Sequence, residues 1–310
     1  MIFNQKYIFQ QYPWLKEKNR QFIISADYDG LICAGFLHHY LDWELVGYYN
    51  FEHIWISKEG LKNKSDLIWV DLNILPSQGK AIGGHIITLD GHIPHGFMSS
   101  CNPNILAGIS AENFNQKYPF STILFLYWLH KIVLSDKIME KALLLHADAV
   151  WLKMQKYPKN IENWAKRLPG IDWEYLFNFA NTKLIEETVD QELYPMLAHL
   201  GAVSGKSKLK SKHRKIHSKE YKFNPDWDED VILSLLNLFA IHFKWTPPKV
   251  PQIEKCISGK RYKIPISKIK SKKLSTVLRE QRVFSYAIPS PNYFNFTTFG
   301  SVRKSPLNND

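Results

Sequence analysis

Cysteine is scarce. Cys33, Cys101 and Cys256 are the three in 310 residues, an odd number with no short metal-type spacing, which excludes a disulfide framework and a zinc ribbon and fits a reducing, cytoplasmic setting. Long hydrophobic runs are lacking as well. The most apolar stretch, Ser121 to Leu129, meets His130 and Lys131 well short of the roughly 20 residues a bilayer helix needs. The segment Met1-Ile2-Phe3-Asn4-Gln5-Lys6 lacks the charged-then-apolar order of a secretion signal. Neither export nor a membrane partner is expected. No internal repeat is visible. What is present, 45% hydrophobic and 14% aromatic residues, supplies a real core for one large or two ordinary domains and excludes a disordered chain.

Acidic residues are outnumbered, 29 against 40 Lys and Arg, and the imbalance is one-sided. Residues 201–310 carry 22 Lys/Arg and 8 Asp/Glu, which leaves 18 and 21 for residues 1–200. The densest stretch runs through Lys206, Lys208, Lys210, Lys212, Arg214, Lys215 and Lys219 to Lys222 with almost nothing apolar between, and it reads as a loop or linker. A second basic stretch, Lys244 to Arg282, includes Lys260, Arg261, Lys268, Lys270, Lys272 and Lys273 interleaved with Tyr262, Ile264, Ile266 and Ile269, the pattern of a folded basic surface. Such charge either solubilises the chain or draws a phosphate-rich partner. Its confinement to one half favours nucleic acid, single-stranded in kind, contacted by these side chains.

The first half alternates short apolar runs with helical stretches, the pattern of an α/β fold with a mainly parallel sheet flanked by helices. Strands are expected at 22–26, 45–49, 67–71 and 85–89. The Leu31 to Leu41 segment has helical spacing, and Gly30 permits a tight turn before it. Helices are expected at 120–134 and 137–155, with Asp136 as a cap of the second, and 173–200 reads as predominantly helical. Further on, 226–243 is an amphipathic helix, and 283–288 with 293–299 make a hairpin. The resulting organisation is an α/β domain at 1–165, a helical connector at 166–200, a lysine-rich linker at 201–224 and a smaller basic α+β domain at 225–310.

Aspartates follow three of the expected strands: Asp27-Tyr28-Asp29-Gly30 after the first, Asp71 closing the third, and Asp90-Gly91-His92 after the fourth. The carboxyl ends of parallel strands share a crevice where ligands bind, and clustered carboxylate oxygens suit hard cations such as Mn2+ or Mg2+. Helical His146-Ala147-Asp148 comes next. This order resembles the DHH phosphoesterase superfamily, which includes RecJ-type exonucleases, over roughly residues 20–150. The resemblance implies that Asp27, Asp29, Asp71 and Asp148 are metal ligands and that Asp90 and His92 act in catalysis, His92 positioning phosphoryl oxygens or assisting proton transfer. The chain departs from the family in its third motif, where Gly91 stands in place of the first histidine, and His85, His92 and His95 are the histidines near enough in sequence to compensate.

The implied function is a metal-dependent phosphodiesterase or nuclease acting on single-stranded or short nucleic acid. Two alternatives stand beside it. One is a catalytically degenerate nucleic-acid-binding or assembly subunit, which would have a protein partner; the other is a small-nucleotide or pyrophosphate hydrolase. A haloacid-dehalogenase-like reading, with Asp27 as nucleophile and Asp29 as acid/base, is disfavoured by Leu31, where that family places a hydroxyl residue. Asp71 and Asp90 also have a plainer reading as a helix cap or turn residue after a strand, and Asp148 as an exposed helix residue. Tyr293, Phe294, Phe296 and Phe299 could stack unpaired bases, or fill a core.

Overall fold

The computed structural model describes residues 1–75, 79–203, 205, 209–270 and 272–300. Two compact units divide the chain, and neither is continuous in sequence. One, the sheet unit, comprises Gln21–Ile24, Val46–Tyr118 and Pro251–Asp310; the other, the helical unit, comprises Met1–Arg20, Ser25–Leu45 and Pro119–Val250. The α/β class expected from the sequence holds, with a small antiparallel sheet near the C-terminus.

The main sheet contains β1 (Gln21–Ser25), β2 (Glu44–Tyr49), β3 (His53–Ser57), β4 (Ile68–Val70), β5 (Lys80–Ile82) and β6 (Ile253–Ser258), in the order β5-β4-β1-β2-β3-β6. The sheet is mixed. β1 pairs in parallel with β4, and β4 with β5, whereas β3 pairs antiparallel with both β2 and β6. Ile23, Val46, Tyr49, Ile54, Ile56, Trp69 and Leu72 form its buried cluster. Phe22, Ile23 and Ile24 are all fully buried, as a central strand covered on both faces must be. The expected hairpin is present as β8 (Val283–Ser290) and β9 (Tyr293–Thr298), with β7 (Lys260–Pro265) on the far side of β9.

One expected strand is absent. Residues 85–89 form a single bridge, Ile86 to Ile288, and no strand; β5 takes the sheet position instead. Ile86, Ile87, Thr88 and Leu89 are all buried, so the apolar run is real. Its carbonyls meet scattered donors rather than a continuous ladder: Asn102 Nδ2 on His85 O at 2.8 Å, the Ile288 amide on Ile86 O at 2.9 Å, Tyr286 Oη on Ile87 O at 2.7 Å and the Ala111 amide on Thr88 O at 2.9 Å. Buried backbone needs partners, and here one amide and one side chain of β8, with Asn102 and Ala111, supply them.

In the helical unit, α1 (Tyr28–Leu41) begins at Asp27, whose extended backbone and side-chain acceptor cap it, and ends at Asp42 in the left-handed region. It is buried almost all round, which suits a core helix, and packs against α2 (Thr122–Leu129) and the late helix Glu229–Phe243. The helix expected over 137–155 is broken. α3 (Ile138–His146) is capped by Lys137 rather than Asp136, and α4 (Val150–Lys156) follows a kink in which Asp148 (φ 54°) and Ala149 (φ 52°) are both left-handed. No glycine marks that kink, so helical periodicity runs through it unseen. The stretch 173–200 is helical as expected, including α5 (Lys183–Thr188) and α6 (Tyr194–His199). The amphipathic helix near 226–243 is α7 (Glu229–Phe243).

Candidate functional site

Asp27, Asp29 and Asp148 all belong to the helical unit. Asp27 leaves β1 and caps α1: its Oδ1 accepts from the Gly30 amide at 3.0 Å and from Ser25 Oγ at 2.7 Å. Both donors converge on one oxygen and leave Oδ2 without either. Gly30 is required by close approach, because a Cβ there would lie 2.2 Å from Ser25 O and 2.6 Å from Ser25 Oγ. Ser25 thus sits tightly enough to orient the Asp27 carboxyl, a role that the sequence pattern did not single out.

Asp29, 3% exposed, does different work. Its Oδ2 accepts from the Thr122 amide at 2.7 Å and its Oδ1 from the Ile123 amide at 3.2 Å, with Cys33 Sγ 3.7 Å from Oδ1. These are the first amides of α2, whose own cap residue, Ser121, makes no side-chain cap bond. A carboxylate at a helix N-terminus satisfies orphan donors and meets the positive end of the dipole, so Asp29 joins α1 to α2.

Asp148 projects from the left-handed kink with its side chain 52% exposed and Lys153 Nζ 3.5 Å from Oδ2. Its charge nevertheless reaches half-buried Asp27 and buried Asp29. Burial first, then Asp148 and Asp27, push the Asp29 carboxyl up to about 8, against the amides that pull it down. Burial likewise raises Asp27 to about 6, opposed by Gly30 and Ser25, with Asp148 raising and Lys222 lowering. Lys222 is near because the backbone of 221–223 pairs beside Asp27: the Tyr28 amide donates to Tyr221 O and the Phe223 amide to Ala26 O, each at 3.1 Å. His146 is buried and edge-on to Tyr28, with ring centroids 4.7 Å apart. Its Nδ1 has no hydrogen-bond partner, and burial lowers its pKa to about 4, so it is neutral near pH 7.

The other predicted acids and His92 lie in the sheet unit. Asp71 follows β4, half-buried and left-handed at φ 59°. Asp90 closes no strand. It stands in an exposed turn in which its Oδ1 accepts from the His92 amide at 3.1 Å and lies 3.2 Å from His92 Nδ1. That amide bond, the largest influence, holds the Asp90 carboxyl below its ordinary range. Gly91, at φ 90°, makes the turn, and the His92 side chain is 92% exposed. His85 and His95 are exposed too. Among the described residues, no three His, Cys, Asp or Glu side chains are grouped so as to hold a metal ion, and no helix is long and apolar enough to cross a membrane.

The basic residues fall in both units. Lys206 and Lys208 lie outside the described residues. Lys210, Lys212, Arg214 and Lys215 are exposed in the helical unit. In the sheet unit, Lys260 and Arg261 lie on β7 over Tyr262 and Phe51, at 5.3 and 5.5 Å from the ring centroids. Lys268, Lys270 and Lys273 are exposed, with Lys272 half-buried. Of the aromatics near the C-terminus, Phe294 and Phe296 are buried, whereas Tyr293 is exposed beneath Lys263 Nζ, 4.2 Å from its centroid. His38 and His39 serve packing: His38 Nδ1 is 2.9 Å from Trp43 O, and His39 Nδ1 accepts from the Thr246 amide at 3.2 Å. No family model, curated protein or solved structure matches the chain.

Proposed function

We propose that this chain is a divalent-cation-dependent phosphodiesterase acting on single-stranded nucleic acid, with its centre at Asp27 and Asp148. The observation that carries the reading is the placement of Asp27, Asp29 and Asp148 in one unit, Asp29 buried and Asp27 half-buried, where burial first and the neighbouring acids second hold the Asp27 and Asp29 carboxyls above their ordinary range, a charge density that a cation would offset. The donors fit a hard ion in charge and type, though not as an all-protein cage. Mg2+ commonly takes one or two carboxylates and completes its shell with water and substrate phosphate, so Asp27, through Oδ2, and Asp148 would hold it.

A bound cation would neutralise phosphoryl oxygens and acidify water. The chain's own residues have separate tasks. Ser25 and the Gly30 amide fix the Asp27 carboxyl, Asp29 holds the start of α2 in place, and Lys222 draws a phosphate toward the aspartates. Neutral, enclosed His146 is no proton donor.

The test is cleavage of an end-labelled single-stranded oligonucleotide with Mg2+ or Mn2+, comparing wild type with Asp27→Asn and Asp148→Asn. Each substitution is expected to lower the rate by about 10²-fold or more, of the order seen when a catalytic electrostatic group is lost. Absence of metal-dependent cleavage by the wild type, or full activity of Asp27→Asn, overturns the reading. The exposed, self-paired Asp90–His92 turn favours a second one, in which the scaffold binds nucleic acid without turnover. Equal metal-free binding by all three proteins with no cleavage by any would support it.

A further inference from the structure

Within the lysine-rich stretch that reads as a linker, residues 209–223 form a docked arm, and the residue that docks it is a buried acid. Glu186, on α5, is 0% exposed. Its carboxylate accepts from Ser211 Oγ at 2.7 Å, the His213 amide at 3.0 and 3.2 Å, the Arg214 amide at 2.6 Å and Gln155 Nε2 at 3.1 Å. The loop so gripped closes on itself through the Ser211 amide to Ile216 O at 2.8 Å and a bridge between Lys210 and His217. A second anchor is Tyr194 of α6, whose Oη donates to His217 O at 3.1 Å and accepts from the Lys219 amide at 2.9 Å. The third is the pairing of 221–223 beside Asp27, with Tyr221 and Phe223 buried.

Between the anchors, Lys210, Lys212, Lys215 and Lys222 are exposed; Lys215 Nζ donates to Lys212 O at 2.8 Å, and Arg214 pairs with Asp190 at 2.9 Å. Charge that merely solubilises gains nothing from being ordered, and ordering a polar segment costs conformational entropy. Burying Glu186 costs desolvation too, which its donors must offset. Those costs make sense if the lysines are needed in fixed positions. We infer that residues 209–222 form a pre-ordered track for the sugar-phosphate backbone of a single strand, leading it to Asp27, with Glu186 as the positioning residue. The track rests on the proposed function for its destination, but the backbone contact stands without hydrolysis.

Binding of labelled oligo-dT and oligo-rU is therefore measured with metal chelated, across a salt series, for wild type, the triple variant Lys210→Ala/Lys212→Ala/Lys215→Ala, and Glu186→Gln. The triple variant is expected to bind at least ten-fold more weakly at low salt. Its log K against log salt should be shallower by about 2, since each single-strand phosphate contact contributes about 0.7. Limited trypsin digestion supplies a readout that lost charge alone would not move: the 210–215 segment should resist cutting in the wild type and be cut quickly in Glu186→Gln, whose affinity falls with all lysines present. Unchanged affinity and slope in the triple variant, or equal cutting of wild type and Glu186→Gln, overturns the inference. Weakened binding in the variants with no cleavage by any protein would retire the hydrolase reading and leave the track standing.

Discussion

Asp27 and Asp29 are two residues apart and do opposite things with the same group. Asp29 spends both oxygens on the amides that start α2, so its burial is structural before anything else. Asp27 receives both of its donors on Oδ1, which is why the proposed cation site is placed at its other oxygen. Burial raises both above the ordinary carboxylate value of 3.8, to about 6 and about 8. The folded state therefore binds these protons more tightly than the unfolded chain. The stability linked to them is complete below pH 3.8 and is lost as pH rises through about 6 and then about 8. Asn caps helices as well as Asp, so Asp27→Asn should match wild type near pH 4 and exceed it in melting temperature at pH 8. Added Mg2+ should raise the wild-type value at pH 8 and leave the variant's unchanged. Thermal melts at both pH values, with and without the ion, check this; a variant no more stable than wild type at pH 8 would contradict it.

At the scale of elements, the kink between α3 and α4 is a costly feature. Two successive non-glycine residues, Asp148 and Ala149, take left-handed backbone, at roughly 1–2 kcal/mol each. Backbone held in sparsely populated regions tends to mark functional sites, and here it lifts Asp148 out of a buried helix toward Asp27 and Asp29. Ala149→Gly should relieve part of the strain and raise stability by about 0.5–1 kcal/mol with unchanged oligonucleotide cleavage or binding, as read by urea denaturation alongside either assay. A loss of stability would mean that Ala149 is not strained. The arm at 209–223 shows the same logic in reverse: its lysines are visible in sequence, but its order comes from Glu186 and Tyr194, which are distant in the chain.

At the scale of the molecule, each unit is assembled from separated stretches of sequence, so the units are not chain segments that can be cut apart. The clearest case is β6, which comes from the C-terminal third and pairs with β3 from His53↔Ser258 to Ser57↔Ile253. Truncation after residue 250 would strip that strand from the sheet and leave the backbone of β3 without a partner at an edge that carries Ile54, Trp55 and Ile56. Such an edge invites association between copies. The truncated chain is expected to aggregate or to lose cooperative unfolding in light scattering and thermal melts, and a soluble, cooperatively folding truncation would contradict the continuity of the sheet.

Local chemistry was enough to read the α/β class, the helix over 31–41, the late amphipathic helix and the C-terminal hairpin, because each rests on periodicity or turn residues within a dozen positions; that this first helix starts at Tyr28, with Asp27 as its cap and Gly30 inside it rather than in a turn before it, was not read. The acidic pattern was equally legible as residue types. Tertiary structure decided how those residues are used: that Asp29 spends both oxygens on the start of α2 whereas Asp27 takes both donors on one, that 85–89 is buried without forming a strand, that β6 completes the main sheet, and that residues 209–222 are docked. Apart from the Asp27 donors Ser25 and Gly30, which are close in sequence, these depend on hydrogen-bond partners far away in the chain. A buried polar group takes whichever partner folding brings to it, and that pairing leaves no local trace in the sequence.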